Sequence, residues 1–372
     1  MSGAGTDTSS SVEPPEVTHT QRLARLDHVR GLAALCILFF HLTTWMLGEM
    51  PAEIPLERGG VFAVSIFYML SGVSLYHAYG PSLAAKGGVR TFFIRRFFRI
   101  FPLLWLTAMT TYAIWPAVRD PGTLFLTISG LFGFVAWDRY TGTGLWSIGN
   151  ELVFYALFPV LLIMLRHQVA RWVLVAIALV LICHAAFFAL DVSMPLSGQW
   201  HAYAAPWHQL PYFLIGLFLV RWQGSIPTPH PWLARTGMLL CILYVALWPV
   251  HGDKVLLVTG PARWLFTIAC GGLVLFALKD RSALPRPIEK SLTALGDASY
   301  ALYMLHPIVI EFTMAACGFI SVRLFVIPMG LRILLCVLAS VVVAWCVHHW
   351  FERFFIALGK RLALRVAVPA TG

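Results

Sequence analysis

Charge is what this sequence has least of. Asp, Glu, Lys and Arg make up 12% of its 372 residues while 59% are hydrophobic, whereas a soluble globular domain is about 25% charged. A chain of this size would still need a polar skin, so the shortage excludes a soluble enzyme, a disordered chain and a coiled coil. Acid is scarcer than base: 17 acidic residues face 27 basic ones, a formal net charge of +10. The basic residues lie in short segments between apolar runs, which excludes a nucleic-acid partner and is the distribution of cytoplasmic loops. None of the 7 cysteines has a CxxC spacing and all fall in apolar runs, so neither a disulfide framework nor a zinc site is expected. HxxxH, HExxH, GxSxG and Walker patterns are missing too, and no metal is expected. Residues 1–20 lack the apolar stretch of a signal peptide. A disordered cytoplasmic tail is expected there.

Long apolar runs are abundant. A membrane helix needs about 20 mostly apolar residues to cross a core of roughly 30 Å. Eleven runs qualify, near 29–48, 60–79, 100–118, 122–137, 145–165, 172–190, 205–222, 236–250, 259–278, 297–317 and 324–351. The run at 122–137 is short, holds three glycines and follows Pro121. If it does not cross, most of the basic residues fall on one side; if it crosses, every later loop flips and the bias is lost. The expectation is an all-α, multi-pass membrane protein with about ten transmembrane helices and both termini cytoplasmic. The segment at 122–137 is then re-entrant or external, covered by protein or bordering a water-filled cavity. One transmembrane domain over 21–355 precedes a basic cytoplasmic tail at 356–372.

Ionisable groups inside spans cost roughly 2.5–3.5 kcal/mol each on insertion scales and ask for a reason. In LDHVRGLAALCILFFH, Arg30 and His41 are eleven positions apart, so they share a helix face about 16 Å apart along the axis. Asp27 lies on the same stripe. The pair suits the two ends of an elongated substrate entering from the cytoplasm, while helix anchoring and a hydrogen bond to a neighbour are the structural alternatives. In GGVRTFFIRRFFRIFPLLW, Arg95, Arg96 and Arg99 belong to a cluster with no acidic residue between Arg58 and Arg119. Arg95 and Arg99, at i and i+4, are expected to face the same way. Guanidinium forks suit bidentate phosphate contacts, and topology or lipid head-group binding also accounts for such a cluster. In LWSIGNELVFY, Glu151 sits two turns into an apolar helix with Ser147 one turn before it. A buried carboxylate there is either paired or poised for acid–base work. In LGDASYALYMLHP, Asp297 reads as an N-cap and His306 lies deep in the span. Pro307 loosens the helix, and Tyr300 and Tyr303 can hydrogen-bond into the bundle. His348, His349 and Glu352 read as interfacial anchors. Trp137, Tyr140, Trp200, His201, Tyr203 and Trp207 in external segments read as an aromatic belt or as a surface for sugar rings.

Taken in order, these segments resemble the acyltransferase-3 family of integral-membrane acyltransferases. The resemblance rests on LDHVRGLAAL…H, FYMLSGVSL with Ser71 and Gly72, FIRRFFRIFPLLW, LWSIGNELVFY, SYALYMLHP and the terminal WFERF. It implies transfer of an acyl group, usually acetyl, from cytoplasmic acyl-CoA to a hydroxyl of a cell-surface polysaccharide or lipid-linked sugar, in an inner membrane. It implies essential roles for Arg30, His41, Arg95, Arg96 and Arg99, and it places Glu151 at the family's glutamate. The arginines would dock the donor's phosphates, His41 would be the general base, and Glu151 would orient or reprotonate it. An acyl-histidine intermediate is the competing route. Asp27, Ser71, Ser147, Tyr300 and His306 are candidate supports. Many relatives carry a further SGNH-type esterase domain, so direct acylation or a partner protein for the final transfer is expected here. Leu152 stands where the family's pattern commonly has a second acidic residue. Acylation of a small molecule, succinyl transfer to a glucan, and a transporter or flippase of a lipid-linked sugar are the alternatives.

Overall fold

The computed structural model describes residues 19–367, in which every regular element is helical. The chain runs through α1 (His19–Leu47), α2 (Pro55–Tyr79), α3 (Gly88–Ile114), α4 (Pro121–Ser129), α5 (Phe132–Val135), α6 (Leu145–Arg166), α7 (Gln168–Phe187) and α8 (Trp200–Ala204). It continues through α9 (Pro206–Trp222), α10 (Pro231–Leu247), α11 (Gly260–Lys279), α12 (Arg286–Asp297), α13 (Ser299–Arg323), α14 (Met329–Cys346) and α15 (Arg353–Ala367). A π-helical turn, Val347–Glu352, joins α14 to α15.

Among the described residues eight helices are long and apolar enough to cross a bilayer: α1 from Arg25, α2, α3, α6, α7, α11, α13 and the continuous run Met329–Arg365. The 17-residue helices α9 and α10 occupy the places expected for two more spans. The run at 122–137 is broken. Pro121 opens α4 at its first turn, and the Asp120 carboxylate caps it by accepting from the backbone amides of Gly122 and Thr123. Those bonds, with one from the Thr123 hydroxyl, hold the Asp120 carboxyl below its usual range. Gly130, at φ +77°, ends the helix after nine residues, which is about 14 Å of rise and too short to cross.

Two expectations about the ends change. The last span does not stop near Phe351 but continues through the π turn, so the segment expected as a basic tail is helical as far as Ala367. It packs along α3, with Gly359 against Phe98. At the other end α1 already includes His19 and Thr20. The rest of the expected N-terminal tail, and residues 368–372, lie outside the described residues.

Helix α2 is the central strut, packed against α1 on one side and α9 on the other. Small residues let the α2 and α9 backbones touch, as at many membrane helix crossings. A Cβ on Gly72 would lie 2.4 Å from the Phe213 carbonyl oxygen, and one on Gly216 would lie 2.1 Å from that of Met69. Either clash is with backbone, which cannot rotate away. Gly72→Ala should therefore destabilise the bundle by about 1–3 kcal/mol. A thermal unfolding midpoint in detergent equal to that of wild type would refute the close approach.

Candidate active site

Two cavities, each of about 280 Å³, lie back to back along α1 and α2. The first is rich in guanidinium groups, with Arg30, Arg96 and Arg99 all on its lining. Arg30 donates from Nη1 to Asp27 at 2.6 Å and from Nη2 to the Ser74 hydroxyl at 2.8 Å. Arg96 donates to the Tyr79 hydroxyl at 3.2 Å and lies over the rings of Tyr79 and Tyr155. Arg99 is ion-paired with Glu352 and lies 5.4 Å from the Tyr300 ring centroid. Glu151 is the cavity's carboxylate, and it accepts from the Tyr155 hydroxyl at 2.9 Å. Ser71 shares a hydrogen bond with Tyr155 at 3.3 Å. Arg96 and Arg99 are three residues apart and so share a face, although register alone would serve Arg95 equally.

The second cavity is built around His41. Its ring stacks on Trp45, with centroids 5.0 Å apart, and on His306 at 5.3 Å. Among the described residues neither nitrogen of His41 has a hydrogen-bond partner, so both remain available to a substrate. His306 is held rigidly: its Nδ1 lies 3.0 Å from the Leu302 carbonyl oxygen. A carbonyl can only accept, so Nδ1 carries the proton and the ring is oriented as a platform beneath His41. Trp146, Trp200, Tyr203, Asp253 and Lys254 also line this cavity. Lys254 is fixed by a 2.7 Å ion pair to the fully buried Glu57. Trp200 donates to the Tyr140 hydroxyl at 2.9 Å, and burial pushes Tyr140 up to about 12, so it stays neutral.

Among the described residues only Val64 and Tyr303 line both cavities. Arg30 and His41 thus project from one face of α1, as their spacing predicts, but into adjoining chambers. The structure does not bring Glu151 to His41. Glu151 lies with the arginines across the wall, so a direct partnership between the two has no geometric support. Arg95 is not on the cavity lining, although it is only about 40° from Arg99 by register, and Arg96 takes the place expected for it beside Arg99. Asp27, Ser71, Ser147 and Tyr300 all support the arginine cavity, and His306 supports the histidine one. Leu152 packs at the turn after α4, within reach of Gly130, rather than on the cavity. Of the external aromatics, Trp200 and Tyr203 line the histidine cavity and Tyr140 braces Trp200. Trp137, His201 and Trp207 form a separate cluster.

Glu352 was legible only as an interfacial anchor, yet it is 2% exposed and holds both Arg99 and His348, the latter at 2.7 Å. The π turn that carries it is what aims it inward, and such turns are common at functional sites. Glu352→Gln should slacken Arg99 and raise the KM for an anionic substrate of this cavity about tenfold, equivalent to about 1.4 kcal/mol. Because this loss is of uniform binding, kcat should hold. A lowered kcat with unchanged KM would contradict it. Trp45, Trp146 and Lys254 were also missed. Trp45 had a signal in its i+4 spacing from His41, whereas the Lys254–Glu57 pair joins positions 197 apart and leaves no local trace.

Comparison with known proteins shows the family. A family model described as an acyltransferase domain matches residues 23–349. The acyltransferase MdmB of Streptomyces mycarofaciens is 26% identical over 346 residues, covering 80% of this chain and 81% of that protein. The putative peptidoglycan O-acetyltransferase YrhL of Bacillus subtilis is 24% identical over 372 residues, 90% of this chain and 55% of that longer protein. The putative membrane-bound transacylase BcsY of Komagataeibacter xylinus is 23% identical, over 76% of this chain and 71% of its own length. No solved structure matches. With membrane-spanning helices throughout and the family model covering most of its length, the chain belongs to the acyltransferase-3 family of integral-membrane acyltransferases.

Proposed function

We infer that the chain transfers an acetyl group from cytoplasmic acetyl-CoA to a hydroxyl of a polysaccharide or lipid-linked sugar at the plasma membrane. The observation that carries this reading is the pair of back-to-back cavities, one cationic and one aromatic with an available histidine. Coenzyme A brings several phosphate charges, and guanidinium groups meet phosphate with paired, charge-assisted hydrogen bonds. Its pantetheine arm is long and thin enough to carry the thioester from the arginines towards the shared wall. Sugar rings stack on aromatic faces such as those of Trp146 and Trp200, which line the second cavity. The relative named as a putative peptidoglycan O-acetyltransferase supports a carbohydrate-containing acceptor.

In the proposed step His41 takes the proton from the acceptor hydroxyl as its oxygen attacks the thioester carbonyl carbon. The C–S bond breaks, an ester C–O bond forms, and the departing thiolate recovers a proton to leave as free coenzyme A thiol. Stacking on Trp45 and His306 would hold the His41 ring in place through the step. Glu151, on the donor side, would serve the arginine network through Tyr155 rather than the base.

The test is release of free thiol from acetyl-CoA by the purified protein in liposomes. Acceptor-dependent release, matched by ester formed on the acceptor, is expected. Movement of labelled lipid-linked sugar across the bilayer, with no thiol released from acetyl-CoA or succinyl-CoA, would favour a flippase instead.

A further inference from the structure

We propose that Val64 and Tyr303 form the acyl-length selector of this enzyme, a fixed constriction that admits acetyl and excludes longer chains. The inference rests on the transfer reading above, and deepens it by naming the residues that set the acyl length of the donor. Of all the side chains lining the two cavities, these two alone face both. If the donor lies with the arginines and the acceptor lies with His41, the thioester carbonyl is attacked at the shared wall. The acyl chain beyond that carbonyl then has to be housed beside Val64 and Tyr303.

Both residues are rigid. The Tyr303 hydroxyl donates to the Gly144 carbonyl at 2.9 Å and lies 2.7 Å from the Ser147 hydroxyl. Its ring is flanked by Phe67 at 5.8 Å and His306 at 6.2 Å. Gly144 sits at φ +84°, and a Cβ there would come within 3.3 Å of the Tyr303 oxygen, so the loop is shaped to receive that hydroxyl. A tyrosine held at its tip and along its ring cannot swing aside for a longer chain. Val64 is 8% exposed on the buried strut α2, and a β-branched side chain in a helix has essentially one χ1 rotamer. A wall that cannot yield discriminates by size, and each methylene in such an apolar slot is worth about 10–200-fold in selectivity.

The test is a competition between acetyl-CoA, propionyl-CoA and butyryl-CoA, read as the ratio of esters formed on one acceptor. The ratio does not depend on how much of a variant folds. Wild type should form mostly the acetyl ester. Val64→Ala should raise the butyryl-to-acetyl ratio at least about tenfold, and Val64→Leu should lower the propionyl-to-acetyl ratio. Leu75→Ala, which enlarges the arginine cavity alone, should leave both ratios near wild type. Unchanged ratios in both Val64 variants, an equal shift from Leu75→Ala, or a wild type that takes butyryl as readily as acetyl would each overturn the selector while leaving the transfer reading intact. A wild type that forms no ester from any of the three donors would overturn the transfer reading, and the selector with it.

Discussion

Replacing His41 with alanine is expected to reduce acyl transfer by about 10²–10⁴-fold, the usual contribution of a general base. Several features make the loss specific. His41 lines the cavity opposite the arginines, and neither of its nitrogens is engaged by another described residue. Its neighbours Trp45 and His306 contact it by ring stacking, so its removal leaves no buried partner unsatisfied. The variant should therefore insert, fold and unfold much as wild type does. Transfer measured as ester formed on the acceptor should fall by that factor, and thiol release should fall in parallel. Transfer within a few-fold of wild type would remove His41 from the chemistry.

The second large effect concerns the arginines. Charge-assisted hydrogen bonds are worth about 1.5–3 kcal/mol each. Loss of two such donors should weaken acyl-CoA affinity by about 10²–10⁴-fold. Arg96→Ala is straightforward, since its partners are tyrosines. Arg99→Ala alone would leave the buried Glu352 carboxylate with His348 as its remaining partner, and breaking a buried ion pair costs up to about 3–5 kcal/mol of stability. Pairing Arg99→Ala with Glu352→Gln avoids that confusion. The triple variant should show donor KM raised beyond saturation while its unfolding midpoint stays near that of wild type. Lysine at position 96 should restore only part of the affinity, because an ammonium lacks the planar fork. Affinity of the triple variant equal to wild type would show that the donor is held elsewhere.

Much of this arrangement was legible in the sequence because helices are local. Eleven positions at about 100° each place Arg30 and His41 on one face, and that face does open onto both cavities. Pro121 and three glycines marked the fourth run as weak in the sequence, and the short α4 shows that it breaks. What remained hidden depends on which helices pack together. Whether Arg95 or Arg96 joins Arg99 at the cavity turns on the contact of α3 with α15 and α13, and register along α3 alone allows either. The separation of Glu151 from His41 follows from Tyr303 standing between their cavities, more than 150 residues further along the chain than Gly144, which anchors it. Glu352 looked interfacial because its helix was expected to end near Phe351. A π turn keeps the chain helical and turns that carboxylate onto Arg99.

The division of labour between the two cavities is tested most directly by titrating acetyl-CoA calorimetrically into three purified proteins side by side. These are wild type, His41→Ala and the triple variant Arg96→Ala/Arg99→Ala/Glu352→Gln. Expected is saturable binding to wild type, binding of His41→Ala within about twofold of it, a change under about 0.4 kcal/mol, and no measurable heat with the triple variant. Loss of binding in His41→Ala, or its retention in the triple variant, would contradict a donor held by the arginines and attacked across the wall from His41.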